Sequence, residues 1–196
     1  MRLARLDELH VIGQEIYAQF LQAESKEAKK QVLIDSVYDL LVLAYIYGEQ
    51  RVKNVASEFV PEDEIQTDPQ RLYEALYKRV AGENFEERLS RRVDEETLDI
   101  DTLQRIIDTD YHRMEETGAY DTAEIVEERT GRTAYKVWET MQYDRVRPTH
   151  WYLQSKAVPM SARFYTYDGD SARYPGDFEK AENNSNCRCE ISFTFR

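Results

Sequence analysis

Leu3, Leu6, His10, Gly13, Ile16, Tyr17 and Phe20 recur three and four residues apart, the period of an amphipathic helix reaching to about Gln22. Ser25, with Glu27 in the following turn, predicts the N-cap of a second helix. That helix runs to about Phe59, and its centre, Val37 to Tyr47, is apolar on nearly every side, which predicts a buried central position. Gly48 inside it costs ~1 kcal/mol relative to alanine. It points to close helix packing or a kink, or else to a tolerated interior glycine. PEDEIQTDPQ is the clearest break, with Asp68 and Pro69 placed as N-cap and N1 of the next helix. That helix, RLYEALYKRV, pauses at Ala81-Gly82 and resumes as NFEERLSRRV. Another is expected from Asp101 to about Glu116, ended by Thr117-Gly118, and a last one, AEIVEERTGRTAYKV, carries the chain to Trp138.

After Trp138 the texture changes. Pro148, Pro159 and Pro175, glycines at 169 and 176, and the run RFYTYD indicate turns and short strands. CEISFTFR alternates, with Ile191, Phe193 and Phe195 on one face and Ser192 and Thr194 on the other, as a half-buried strand does. The expected class is α+β: long N-terminal helices over residues 1–130, then a small module of short antiparallel strands and loops over residues 131–196.

Charge sharpens this division. Of the net charge of −12, about −14 lies before Gly131 and about +2 after it. An acidic chain repels phosphate backbones, so only the C-terminal third is a candidate for contact with DNA, and a weak one. Asp7 and Glu8 stand where a signal peptide would need apolar residues. VYDLLVLAYIYG is about twelve residues long and contains Asp39, too short to span a bilayer. A soluble, cytoplasmic protein is expected, with no membrane partner.

Cys187 and Cys189 are the only cysteines. If the last strand extends back through them, both share the face of Ile191 and Phe193, with Cα atoms ~6.6 Å apart and parallel side chains. That spacing is near the limit for a disulfide, and the Cβ vectors do not converge. Two thiolates could share a metal, for which zinc normally takes three or four protein ligands. His10 lies on the apolar stripe of the first helix and His112 in a charged helix, both read as structural. His150, in the non-helical YDRVRPTHWYL, is the third candidate ligand. The other readings are small buried thiols packing as hydrophobes and a nucleophilic Cys–His pair.

The ordered set KVWETMQYDRVRPTHWYLQSKAVP, RFYTYDGDSARYPGD and NCRCEISF resembles the C-terminal domain of phage Mu F-like minor head proteins, also called phage head morphogenesis proteins. Trp138, Asp144, Arg145, Arg147, His150, Leu153, Pro175, Gly176, Asp177, Asn186, Cys187, Arg188 and Cys189 occupy the places of the family pattern. NFEERLSRR and AEIVEERTGRTAY are similar to its upstream helical blocks. Two departures stand out. The family usually has an Asp-Gly or Asn-Gly turn where this chain has Gln154-Ser155, so a different turn type is expected. Some relatives have a Cys-x-x-Cys, resembling a four-thiol zinc site, where this chain has Arg147 and His150. The ligand set here is then at most His150, Cys187 and Cys189, with zinc as the candidate cofactor and a packing cluster as the alternative.

The resemblance implies a non-enzymatic minor capsid protein of a tailed phage or prophage. It would act in head assembly at the portal, with DNA packaging or ejection as a further role. Its partners would be the portal protein and other head proteins, and its location the host cytoplasm during assembly, then the virion head. Trp138, Tyr143, Phe164, Ile191 and Phe193 are the expected module core. Asp144 and Arg147 are expected to hold the turn around His150. Arg188 is free for a phosphate or a carboxylate such as Asp177. The alternatives from other classes are a phage-derived nuclease using Asp144, Arg145, His150 and Arg188, and a zinc-binding adaptor.

Overall fold

The structure, a computed structural model, describes residues 2–80, 82–141 and 146–196, with side chains from residue 7 onward. Five helices come first: α1 (Arg2–Gln22), α2 (Lys26–Ala56), α3 (Pro69–Tyr77), α4 (Phe85–Asp94) and α5 (Ile100–Thr130). There follow β1 (Ala134–Glu139), α6 (Pro148–Trp151), β2 (Ala157–Pro159), β3 (Phe164–Tyr165), β4 (Ser171–Ala172), α7 (Ala181–Asn184) and β5 (Glu190–Phe195). The class is α+β, as the patterning predicts.

Local chemistry explains the helix starts. The Ser25 hydroxyl accepts from the Ala28 amide at 3.1 Å. Asp68 caps α3 ahead of Pro69. Asn84 and Glu87 form a reciprocal capping box on α4, and Asp99 caps α5.

The helical region departs from its sequence reading in two places. Thr117-Gly118 does not end a helix: α5 runs unbroken through it, and the Thr117 hydroxyl donates to the Arg113 carbonyl one turn back. The glycine is there for packing. A Cβ on Gly118 would lie 2.1 Å from the Tyr45 carbonyl oxygen, and one on Gly48 would lie 1.9 Å from that of Glu115. The backbones of α2 and α5 therefore touch at this crossing. The second departure follows from Gly131, whose left-handed φ of 67° ends α5 and lets its amide donate to the Glu127 carbonyl. The segment to Trp138 is then not helix but β1, with Ala134, Lys136 and Trp138 buried in alternation.

By length and composition α2 is apolar enough to cross a membrane, more so than its twelve-residue centre suggests. Leu33, Val37, Leu41, Ala44, Tyr45 and Val52 along it are buried in the protein. One core lies among α1–α5. The second lies beneath the sheet and takes in Val52 and Ala56 of α2 and Ala119, Tyr120, Ala123 and Val126 of α5. The sheet is antiparallel, ordered β2-β1-β5, with Trp138 opposite Ile191 and Lys136 opposite Phe193. β3 and β4 form a separate hairpin.

Candidate functional site

The alternation of β5 continues backward past its first paired residue. Cys187, Cys189, Ile191 and Phe193 are buried, while Ser192 is exposed. Several contacts hold the approach to Cys187. Asn186 takes a left-handed φ of 52° and the Cys187 amide donates to the Asn184 carbonyl at 3.0 Å. Arg147, the N-cap residue of α6, donates to the Ser185 carbonyl. Arg147 thus ties α6 to the cysteine segment through a backbone oxygen.

His150 sits in α6 and is 1% exposed. Its ring stacks on Phe178 at 5.1 Å and meets Trp138 edge-on at 5.5 Å. Trp138 also packs on Phe164, so the expected core residues Trp138, Phe164, Ile191 and Phe193 come together. Tyr143 of that set, and the motif residues Asp144 and Arg145, lie outside the described residues. His150 Nδ1 faces both sulfurs, 3.6 Å from Cys187 and 3.5 Å from Cys189. Its Nε2 has no hydrogen-bond partner among the described residues. Neither cysteine is in a disulfide. Cys187 is held well below the ordinary thiol range, chiefly by a hydrogen bond with Cys189, against burial, and further by His112 and His150.

His112 is the residue that sequence reasoning set aside. It lies on α5 in DYHRMEE, which reads as a charged face, yet Asp110, Arg113 and Glu116 around it are all buried. They are paired: Asp110 with Arg88 at 2.9 Å and Glu116 with Arg51 at 2.9 Å. The helix is covered on both sides, so a charged run signals internal ion pairs here. His10, by contrast, is exposed and contacts Gln14.

Asp177 forms a second knot. Its carboxylate accepts from the Arg173 side chain and backbone, from Lys78 of the α3–α4 connection, and from Arg163 at 3.5 Å. Burial pushes its carboxyl up, but Arg173 and Lys78 more than offset this and leave it at about 2. Burial also lowers Lys78 despite the pairing, so desolvation offsets part of what that contact contributes. Pro175 and Gly176 beside it are buried, and Gly176, at φ 89°, lets the turn close on Arg113. Arg188 does not reach Asp177. It lies 3.8 Å from Asp108 on α5, tying the cysteine segment to that helix.

The turn after His150 also differs from expectation. Ser155 takes φ 58°, the left-handed region, and its amide donates to the Trp138 carbonyl at 2.7 Å. A serine thus adopts the backbone shape for which a glycine is suited.

The motif residues that the structure describes therefore converge on one compact module, and the chain matches the phage Mu protein F-like family over residues 70–192, more than half of its length. The chain belongs to the phage Mu protein F-like family. It is 25% identical over 114 residues to "Minor head protein GP7" of Bacillus phage SPP1, an alignment covering 58% of this chain and 36% of that protein. The chain thus spans about a third of the length of this curated relative. No solved structure matches it. In this Mu F-like chain the matched span runs from α3 through α5 to β5, and so contains His112, His150, Asp177 and both cysteines.

Proposed function

We propose that this Mu F-like chain is a structural component of a tailed-phage or prophage head that works in head morphogenesis at the portal. It would be made in the host cytoplasm and carried into the virion head. The supporting observation is the family match over residues 70–192, which takes in every motif residue of the module. The relative described as a minor head protein agrees with it. A docking edge is available on α2, where Leu43, Ile46 and Tyr47 share an exposed ridge at helical spacing, with Tyr38 and Val55 also exposed.

A nuclease reading finds less support. His150 is buried and faces two sulfurs, out of reach of a phosphodiester, and Arg188 lies 3.8 Å from Asp108. The test is co-expression with the portal and head proteins encoded beside the gene, followed by capture on tagged portal and mass spectrometry of purified heads. The expected result is the chain in both portal complexes and heads, reduced about tenfold or more by Leu43→Glu with Ile46→Glu, as a hot-spot ridge requires. Heads that assemble normally without it, and no portal capture, would overturn the reading.

A further inference from the structure

We propose that Cys187, Cys189 and His150 bind one zinc ion, through the two sulfurs and Nδ1 of the ring. The three ligand atoms lie within 4.8 Å of one another, and all three residues are buried. The convergence itself is the first reason. A single ring nitrogen carries either one lone pair or one proton, so it can make one good hydrogen bond. Here two sulfurs approach the same Nδ1 at nearly equal distances, 3.5 and 3.6 Å. A cation between the three satisfies both sulfurs at once.

The distances are the second reason. Zinc bonds of about 2.3 Å to sulfur and about 2.0–2.1 Å to nitrogen, at a tetrahedral angle, put sulfur and nitrogen about 3.5–3.6 Å apart. The observed separations are 3.5 and 3.6 Å. The donor set also suits the ion: two thiolates and an imidazole favour zinc over the hard, oxygen-seeking magnesium or calcium.

The surroundings fix the ligands before metal arrives. Phe178 and Trp138 clamp the ring of His150 from two directions. Asn186 at φ 52° and the Cys187 amide bond set the first sulfur. Three protein donors leave the fourth tetrahedral position to a further ligand. The ion would tie α6 to the start of β5 and close the loop between them. Its role would be structural, since the metal cross-links chain segments that are far apart in sequence. It is independent of the assembly reading, and either can fail alone.

The experiment uses the full chain purified without chelator and with its thiols kept reduced. Zinc is measured by elemental analysis beside a thiol count, before and after chelation and reloading with Zn2+. About one equivalent is expected, falling below about a tenth in Cys189→Ser and in His150→Ala. Chelation should lower the wild-type melting temperature, and Zn2+ should restore it. Reloading with Co2+ should add thiolate-to-metal charge-transfer absorption. Less than about a tenth of an equivalent on reloaded wild-type protein, with both thiols titratable, would overturn the proposal whether or not the variants fold. Full zinc retention by a folded Cys187→Ser, Cys189→Ser double variant would also overturn it.

Discussion

Ser155 holds a backbone shape, and Asp121 a part-buried carboxylate, each at a cost in free energy. A non-glycine residue in the left-handed region costs roughly 1 kcal/mol, and Ser155 sits there at φ 58° while its amide closes onto Trp138. Ser155→Gly should raise unfolding free energy by about 0.5–1 kcal/mol in urea titrations, the relief outweighing glycine's extra freedom in the unfolded chain. A loss of stability would show that the turn has no strain to relieve. Asp121 is pushed up to about 6 by burial, although its hydrogen bond from Tyr45 opposes this. A raised carboxyl pKa means that the folded state holds the proton more tightly than the unfolded chain, which titrates near 3.9. Its contribution is full below about pH 4 and is lost as pH rises through about 6. Asp121→Asn, which leaves a carbonyl to accept from Tyr45, should remove this pH 4–7 decline, about 3 kcal/mol, in the difference between the two stability curves. Parallel curves would sink the assignment.

Glycines separate the element scale from the residue scale. Gly48 and Gly118 sit where the backbones of α2 and α5 touch, and an added methyl would strike a carbonyl oxygen that cannot move without shifting its helix. Gly118→Ala should destabilise by about 3 kcal/mol or more, since overpacking against backbone finds no cheap relaxation. At Gly13 the obstacle is the amide end of Gln104, a flexible side chain. Gly13→Ala should therefore be near neutral or stabilising by up to about 1 kcal/mol from helix propensity. Equal effects at the two positions would contradict this picture. The sequence discloses Gly48 as a packing candidate, because it lies inside an otherwise apolar helical run. It hides Gly118, since a Thr-Gly pair within polar sequence looks the same as a helix stop until its partner across the crossing is known. Gly131 is the mirror case, a true stop within a stretch whose apolar spacing continues at helical period.

At the scale of the whole molecule, the class and the helical start were legible because caps and periodicity are local. The strand carrying the cysteines was legible from alternation alone, as was the facing of both sulfurs toward the side of Ile191. What could not be read was the burial of α5. Asp110, Arg113 and Glu116 look like a wet face, yet Arg88 of α4 meets the first, the Ala75 carbonyl of α3 the second, and Arg51 of α2 with the Ile191 amide of β5 the third. His112 is hidden for the same reason, and the carboxylate that Arg188 meets, Asp108, lies across the interface where sequence proximity cannot reveal it.

Glu116 of α5 joins that helix to both α2 and β5. Its carboxylate takes the Arg51 guanidinium from α2 at 2.9 Å and the Ile191 amide from β5 at 2.9 Å, and Arg51 reaches the Ile191 carbonyl at 3.4 Å. A pull on the final strand therefore passes through one acid and one base straight into the helix whose ridge faces solvent. The final strand and α2 are thus joined through one buried carboxylate, and a change that unseats either element strips it of a partner.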